Sequence, residues 1–225
     1  MTEQPKIKLV RIAHVYYTHK DLAVAREFLI DFGFTIASDE GNTIYFRGYG
    51  TEPFVYCAQL GSENCFAGAA FVVESLADLD LAAATLPRAT PVHDSPAPGG
   101  GKRVTFYDPV DGFPMHLVYG QTPVEKNSSF PELDYNFPEM KHRSVNHTQR
   151  FKKGQAPVHK LGHFGCCVTD FAKAFEFYTT KFNLKPSDII YGQDGKDHSV
   201  FLHLDRGMEA VDHHTFFFFE GESFS

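Results

Sequence analysis

The chain has 225 residues, of which 21 are Lys or Arg and 28 are Asp or Glu, so its formal net charge at pH 7 is -7. This balance and the lack of a basic cluster argue against a nucleic-acid partner, because binding phosphates requires a concentrated positive surface. No apolar run approaches the roughly 20 residues that cross a bilayer, and the amino terminus lacks a signal-peptide core. We therefore expect no membrane partner and a cytoplasmic location.

The first segment predicts a strand, a helix and then further strands. Residues 10–18 are strand-like, and Leu22–Phe32 shows the apolar spacing of a helix that ends at Gly33. Alternating runs at Thr43–Arg47 and 53–59 are flanked by Gly or Pro, which is typical of short antiparallel strands. Together these elements predict a βαβββ unit of about 55 residues.

A second unit is predicted to follow by the same signals. A strand in AGAAFVVES (67–75) precedes a helix at Leu76–Thr85, and a turn-rich interval leads to strands at Lys102–Tyr107 and Pro114–Tyr119. The sequence DPVDG between the last two strands is a strong turn signal. Residues 1–120 are thus predicted to form an amino-terminal domain of two βαβββ units.

The composition then shifts toward Pro, Asn, Ser, Lys and His, which predicts an irregular connector at residues 121–156. After it the chain repeats itself, because residues 12–39 align without a gap on residues 161–188. The eight identical pairs are His14 with His163, Asp21 with Asp170, Ala23 with Ala172, Ala25 with Ala174, Glu27 with Glu176, Phe28 with Phe177, Ser38 with Ser187 and Asp39 with Asp188. Residues 157–225 are therefore predicted to form a third unit.

The start of this third unit places a histidine on a strand beside an amphipathic helix. In LGHFGCCVTDFAKAFEFY (161–178), Gly162 precedes His163 and would let a backbone or a bound ion approach closely. Asp170 occupies a helix-cap position. Further strands are predicted at 189–192, 199–204 and 214–219, and the FFFFE run at 216–220 is expected to be a buried strand. The four cysteines form no CxxC pair and are expected to be reduced and structural.

These residues resemble the vicinal oxygen chelate superfamily, which unites glyoxalases, bleomycin-resistance proteins and dioxygenases. Within it they resemble the type I extradiol dioxygenases of the dihydroxybiphenyl dioxygenase kind. The resemblance lies in the motif at 161–188, in FLHLDR at 201–206, in DHHT at 212–215, and in the hairpin DPVDGFPMHLVYG at 108–120. It implies an α+β fold of four βαβββ units in two cups, with two units in an amino-terminal, metal-free cup.

The same resemblance implies the chemistry of the second cup. Two histidines and a glutamate hold Fe(II), sometimes Mn(II), and leave positions for a catechol and for O2. His163 corresponds to the first histidine ligand, and His214 to a pocket histidine that acts as acid and base. Phe201, His203 and His213 are expected at the substrate pocket. His213 precedes His214 on the predicted strand and should face the other way.

The second histidine ligand and the glutamate belong to a fourth unit, which is absent from these 225 residues. The chain is therefore expected to be a carboxy-terminally shortened extradiol dioxygenase with an incomplete metal site. Retention of His163 and DHHT favours this interpretation over a metal-free, bleomycin-resistance-type binding protein, which is the alternative. A homo-oligomer is also expected, and one possible form is a domain-swapped dimer in which unit three pairs with its copy and each chain supplies a His163.

Overall fold

The computed structural model describes residues 5–126, 138–148, 150 and 153–222. It contains three helices and two β-sheets within that part of the chain. None of the described helices is long and apolar enough to cross a membrane. The predicted α+β class with repeated βαβββ units is confirmed.

The first unit comprises β1 (Leu9–His19), α1 (Leu22–Phe32), β2 (Thr35–Asp39), β3 (Thr43–Arg47) and β4 (Tyr56–Leu60). The second comprises β5 (Cys65–Val73), α2 (Leu76–Thr85), β6 (His93–Asp94), β7 (Lys102–Tyr107) and β8 (Pro114–Tyr119). The bounds of both helices agree with those that apolar spacing predicts. The strand β2 was not predicted, since its alternation is interrupted by an irregular register with β3.

The third unit comprises β9 (Phe164–Val168), α3 (Phe171–Lys181), β10 (Leu184–Tyr191), β11 (Asp197–Leu204) and β12 (Phe216–Glu220). His163 therefore lies immediately before a strand rather than on it. The predicted strand at 214–219 starts two residues later, so the DHHT motif lies in the preceding loop. The described part of the connector at 121–156 contains no helix or strand, and its residues 127–137, 149, 151 and 152 lie outside the described residues.

The strand order shows the repetition directly. The first sheet runs β2-β3-β4-β1-β5-β8-β7-β6, and the second runs β10-β11-β12-β9. In both sheets the first strand of a unit pairs in parallel with its last strand, β1 with β4 and β9 with β12. In the first sheet β1 also pairs antiparallel with β5, which joins units one and two. Among the described residues, no strand pairs with the other edge of β9.

An aspartate caps the first helix of each of the two repeats. The Asp21 side chain accepts a hydrogen bond from the Val24 N–H, and the Asp170 side chain accepts one from the Lys173 N–H, each at 3.0 Å. This satisfies one of the amide groups that the first turn of a helix leaves without a partner. The repeated aspartate thus has the same structural role in both units.

One apolar core connects the two sheets. Phe106 of β7 packs against Phe177 and Phe182, with ring centroids 6.2 and 5.7 Å away. A polar seam lies beside this core: the Asn183 side chain accepts from the Leu9 N–H at 2.7 Å and donates to the Leu9 carbonyl at 3.0 Å. The third unit is therefore fixed against the first sheet by both apolar burial and paired backbone groups.

We predict that Asn183→Ala lowers the free energy of unfolding by about 2 kcal/mol, because it leaves a buried N–H and C=O of Leu9 without partners. Urea denaturation of the full chain measures this loss. Asn64→Ala is a matched control, since Asn64 accepts one exposed hydrogen bond from the Lys20 N–H. That variant is expected to lose less than about 0.5 kcal/mol. Equal losses in the two variants would contradict the role of the seam.

Candidate functional site

The two faces of the second sheet have different compositions. Along β9, Phe164, Cys166 and Val168 point into the core, where Phe164 stacks on Phe216 with centroids 4.7 Å apart. His163 is exposed, and its contacts with Phe217 and His214 place it on the opposite face. That face carries the residues that the sequence analysis selected for chemistry.

His163 and His214 are in contact on this face. Their ring centroids lie 4.3 Å apart at an interplanar angle of 38°. Two aromatic rings complete the surroundings of His214: Phe201 at 5.0 Å in an edge-on arrangement, and Phe217 at 6.0 Å. Phe201 and Phe217 stack on each other at 5.5 Å. The structure thus brings His163, His214 and Phe201 together and adds Phe217, which was not predicted.

Gly165 is the glycine that this arrangement needs. A Cβ atom at position 165 would overlap the ring of Phe217, which lies across β9 next to His163. No backbone approaches Gly162, contrary to that part of the expectation, because a Cβ atom there would meet no described atom within 4 Å. The missing side chain at 165, rather than at 162, therefore allows the aromatic ring and the histidine to lie side by side.

The expectation that His213 faces away from His214 was also wrong. Alternation does not apply to this pair, because both residues lie in the loop before β12. Nδ1 of His213 lies 3.2 Å from Nδ1 of His214, and the two rings are perpendicular. The other ring nitrogen of His213, Nε2, lies 3.1 Å from the carboxylate of Asp188.

His203 lies further along the same face and contacts a different partner. Its Nδ1 lies 2.8 Å from the hydroxyl of Ser187, which in turn donates to the carbonyl oxygen of His213 at 2.6 Å. Sequence reasoning gave Ser187 and Asp188 no role. Their identity with Ser38 and Asp39 in the repeat was the signal that could have drawn attention to them.

Partial burial, followed by the electrostatic effect of His163 and then of His213, lowers the pKa of His214 below its ordinary value. His214 is therefore neutral at pH 7 and has a ring nitrogen with a free lone pair. A neutral imidazole between two aromatic rings can accept a proton from a bound hydroxyl group.

The described residues do not complete an Fe(II) site. They contain no group of three or more His, Cys, Asp or Glu side chains that could hold a metal ion together. His163 alone cannot form a two-histidine, one-carboxylate site, which needs two further ligands. The carboxylate of Asp188 is paired with His213 instead.

The equivalent face of the first sheet is filled by side chains. His14, which aligns with His163, is buried and its ring lies 3.9 Å from that of Phe54. The Tyr16 hydroxyl lies 3.2 Å from its Nε2. On β8, His116 contacts Arg103 and the Thr105 hydroxyl through Nδ1, at 3.1 and 2.9 Å. Both histidines are buried. The position of His14, which aligns with His163, is therefore not open to a ligand.

A cavity of about 660 Å³ runs along the free edge of β9, between the third unit and the first sheet. It reaches the histidine face through His163 but does not include His214. Its walls are mostly apolar and aromatic, formed by Val15, Tyr17, Tyr56, Phe66, Phe113, Leu161, Phe164, Cys166 and Cys167, with Asp111 as the one carboxylate. Tyr17 and Tyr56 stack at 5.4 Å and provide a flat surface.

Comparison with known proteins identifies the third unit. Residues 160–221 match the model of the Glyoxalase/Bleomycin resistance protein/Dioxygenase superfamily. For this part of the chain, the resemblance to the superfamily is confirmed. The family match covers the β9–β12 sheet and its helix, and so includes all the residues of the histidine face. No curated protein sequence matches the chain.

Solved structures of extradiol dioxygenases share the fold of nearly the whole chain. Homoprotocatechuate 2,3-dioxygenase from Brevibacterium fuscum, in complex with 3,4-dihydroxyphenylacetate, superposes with a TM-score of 0.75 at 18% identity over 96% of this chain and 62% of that one. A variant of the same enzyme gives 0.76 at 20% identity, covering 96% and 55%. The enzyme from Arthrobacter globiformis gives 0.74 at 21% identity, covering 96% and 61%. This chain thus spans between 55% and 62% of their lengths.

We predict that the two buried histidines of the first sheet make stability depend on pH. Burial lowers the pKa of His116 to about 3 and that of His14 well below 6.5, so the unfolded chain binds their protons first. Stability is then full above about pH 6.5 and is lost as the pH falls toward 3, by up to about 1.4 kcal/mol per pH unit for each histidine.

Urea denaturation between pH 8 and 5 measures this slope. His116→Gln is expected to be less stable than wild type at pH 8, because its hydrogen bonds are altered, yet to lose less stability on acidification. An unchanged slope in the variant would contradict the assignment.

Proposed function

We propose that this chain functions as an extradiol ring-cleaving dioxygenase, acting on a catechol-type aromatic with O2 and requiring Fe(II) or Mn(II). The observation that carries the proposal is the contact of His163 and His214 on one face of a superfamily unit, between Phe201 and Phe217. The shared fold over 96% of the chain supports it. His163 is proposed as the metal-binding residue and His214 as the acid and base.

The described residues are proposed to bind the substrate and to accept its proton. The stacked pair of Phe201 and Phe217 can pack against a planar ring, since aromatic contacts are favourable at centroid distances of about 4.5–7 Å. His214, neutral at pH 7, would take a proton from a catechol hydroxyl. His203 and His213 lie at the rim and are proposed to contribute to the substrate pocket.

Catechol-dependent oxygen uptake by the 225-residue chain, titrated with Fe(II), tests this proposal. Because the described residues offer His163 as the proposed ligand but no group of three ligating side chains, we expect uptake only at a large excess of Fe(II). His163→Ala should abolish it, and His214→Gln should lower the rate by about 10²–10⁴-fold, the usual contribution of a general acid or base.

His198→Gln is the matched control, since His198 lies on β11 and contacts Ser199 rather than the histidine face. That variant should retain wild-type uptake. No uptake at any Fe(II) concentration would overturn the enzymatic proposal. Stoichiometric, tight Fe(II) binding would overturn the conclusion that His163 lacks the further ligands of a complete site.

A second candidate function is metal-free binding of a small planar molecule, and the aromatic-lined cavity along β9 favours it. Its volume of about 660 Å³ lies within the range of ordinary ligand sites, about 300–1,000 Å³. Calorimetric titration of 2,3-dihydroxybiphenyl in the presence of EDTA distinguishes the two. If the cavity binds the molecule, Tyr17→Ala should lower its affinity at least tenfold and His214→Gln should leave the affinity unchanged. A loss of affinity in His214→Gln alone would instead support binding at the histidine face.

A further inference from the structure

Asp188, His213 and His214 form a continuous series of close polar contacts. His213 Nε2 lies 3.1 Å from Oδ2 of Asp188, and its Nδ1 lies 3.2 Å from Nδ1 of His214. The ring of His214 then contacts His163. The series therefore leads from an exposed carboxylate to the middle of the histidine face.

A β-bulge in β10 sets up this arrangement. The register between β10 and β11 shifts between Pro186 and Asp188, so that Ser187 is the extra residue. Bulges redirect side chains, and here the consecutive residues Ser187 and Asp188 both contact the loop before β12. Ser187 donates to the His213 carbonyl at 2.6 Å, while Asp188 binds the His213 ring. Both the backbone and the ring of His213 are thus held by β10.

The chemistry of each atom decides where the protons lie. An ionised carboxylate only accepts hydrogen bonds, so His213 Nε2 must be the donor to Asp188. A neutral imidazole carries one proton, which leaves His213 Nδ1 with a lone pair. The hydrogen bond between the two Nδ1 atoms then requires the proton on His214. A neutral His214 with its proton on Nδ1 has a free lone pair on Nε2.

We propose that Asp188 and His213 are positioning residues that hold His214 in its Nδ1–H tautomer and so keep Nε2 as the proton-accepting atom of the site. A histidine side chain without such contacts favours the Nε2–H tautomer in water, in which Nε2 cannot accept a proton. The use of Nε2 toward a catechol rests on the proposed function. There the hydroxyl proton moves to Nε2, giving a catecholate and an imidazolium whose Nδ1–H still points to His213.

The effect is on proton position rather than on the fold. The side chains of His213 and Asp188 are 63% and 64% exposed, and exposed pairs contribute little to stability. A tenfold preference between tautomers corresponds to only about 1.4 kcal/mol, which one hydrogen bond can supply. Variants of these two residues should therefore remain folded.

The test is ¹⁵N-detected NMR of histidine-labelled, metal-free 225-residue chain in EDTA at pH 8.5, with the His214 signals assigned by loss in His214→Gln. Protonated and unprotonated ring nitrogens have widely separated shifts, so the tautomer is read directly. Wild type should show His214 with at least a tenfold preference for Nδ1–H. His213→Phe keeps a ring but removes the acceptor, and should convert His214 mainly to Nε2–H.

Two substitutions at Asp188 separate hydrogen bonding from charge. Asp188→Ala frees the ring of His213 and should give a mixture of His214 tautomers. Asp188→Asn keeps an accepting oxygen and should restore the wild-type tautomer. Asp212→Asn removes another charge from the same loop, one paired with Lys160 at 3.0 Å, and should change nothing.

A wild-type His214 in the Nε2–H form would overturn the proposal, as would an Nδ1–H form that persists in both His213→Phe and Asp188→Ala. The sample contains neither iron nor catechol. A chain that never consumes oxygen would therefore count against the proposed function and leave the tautomer result standing.

Discussion

The separation of the two faces of the β9–β12 sheet is the constraint on which the rest of the site depends. Phe164, Phe216 and Phe218 form a layer that α3 and the first sheet bury, so the parallel register of β9 with β12 is fixed by apolar packing. Because side chains alternate along a strand, this packing also fixes which residues stay outside. A slip of one residue would bury His163 and expose the phenylalanines.

The repeated unit gives two equivalent histidines different surroundings. His14 and His163 occupy equivalent positions before or within the first strand of their units. The first is covered by Phe54 and Tyr16, whereas the second is exposed beside His214. The difference comes from what fills each sheet face. In the first sheet, buried side chains pack against the histidine, so the common backbone does not give a common site.

Much of the fold follows from local patterns. Apolar spacing defines α1 and α2, and the aspartate cap marks the start of α3. Alternation with turn signals defines β3, β7 and β8. Residue identity between 12–39 and 161–188 reveals the repetition. The strand β2 and the loop before β12 escaped prediction, because a register shift and an irregular backbone do not leave a period in the sequence.

The sequence by itself determined the class of unit, and it placed His163 on a strand that the structure starts one residue later, at Phe164. Only the tertiary structure decided which groups meet. These contacts join residues that lie on different strands or in irregular backbone. His213 contacts His214 in the loop before β12, and Ser187 and Asp188 of β10 contact His213. Phe217 of β12 lies over Gly165 of β9. Such contacts depend on register and bulges, which side-chain periodicity does not encode.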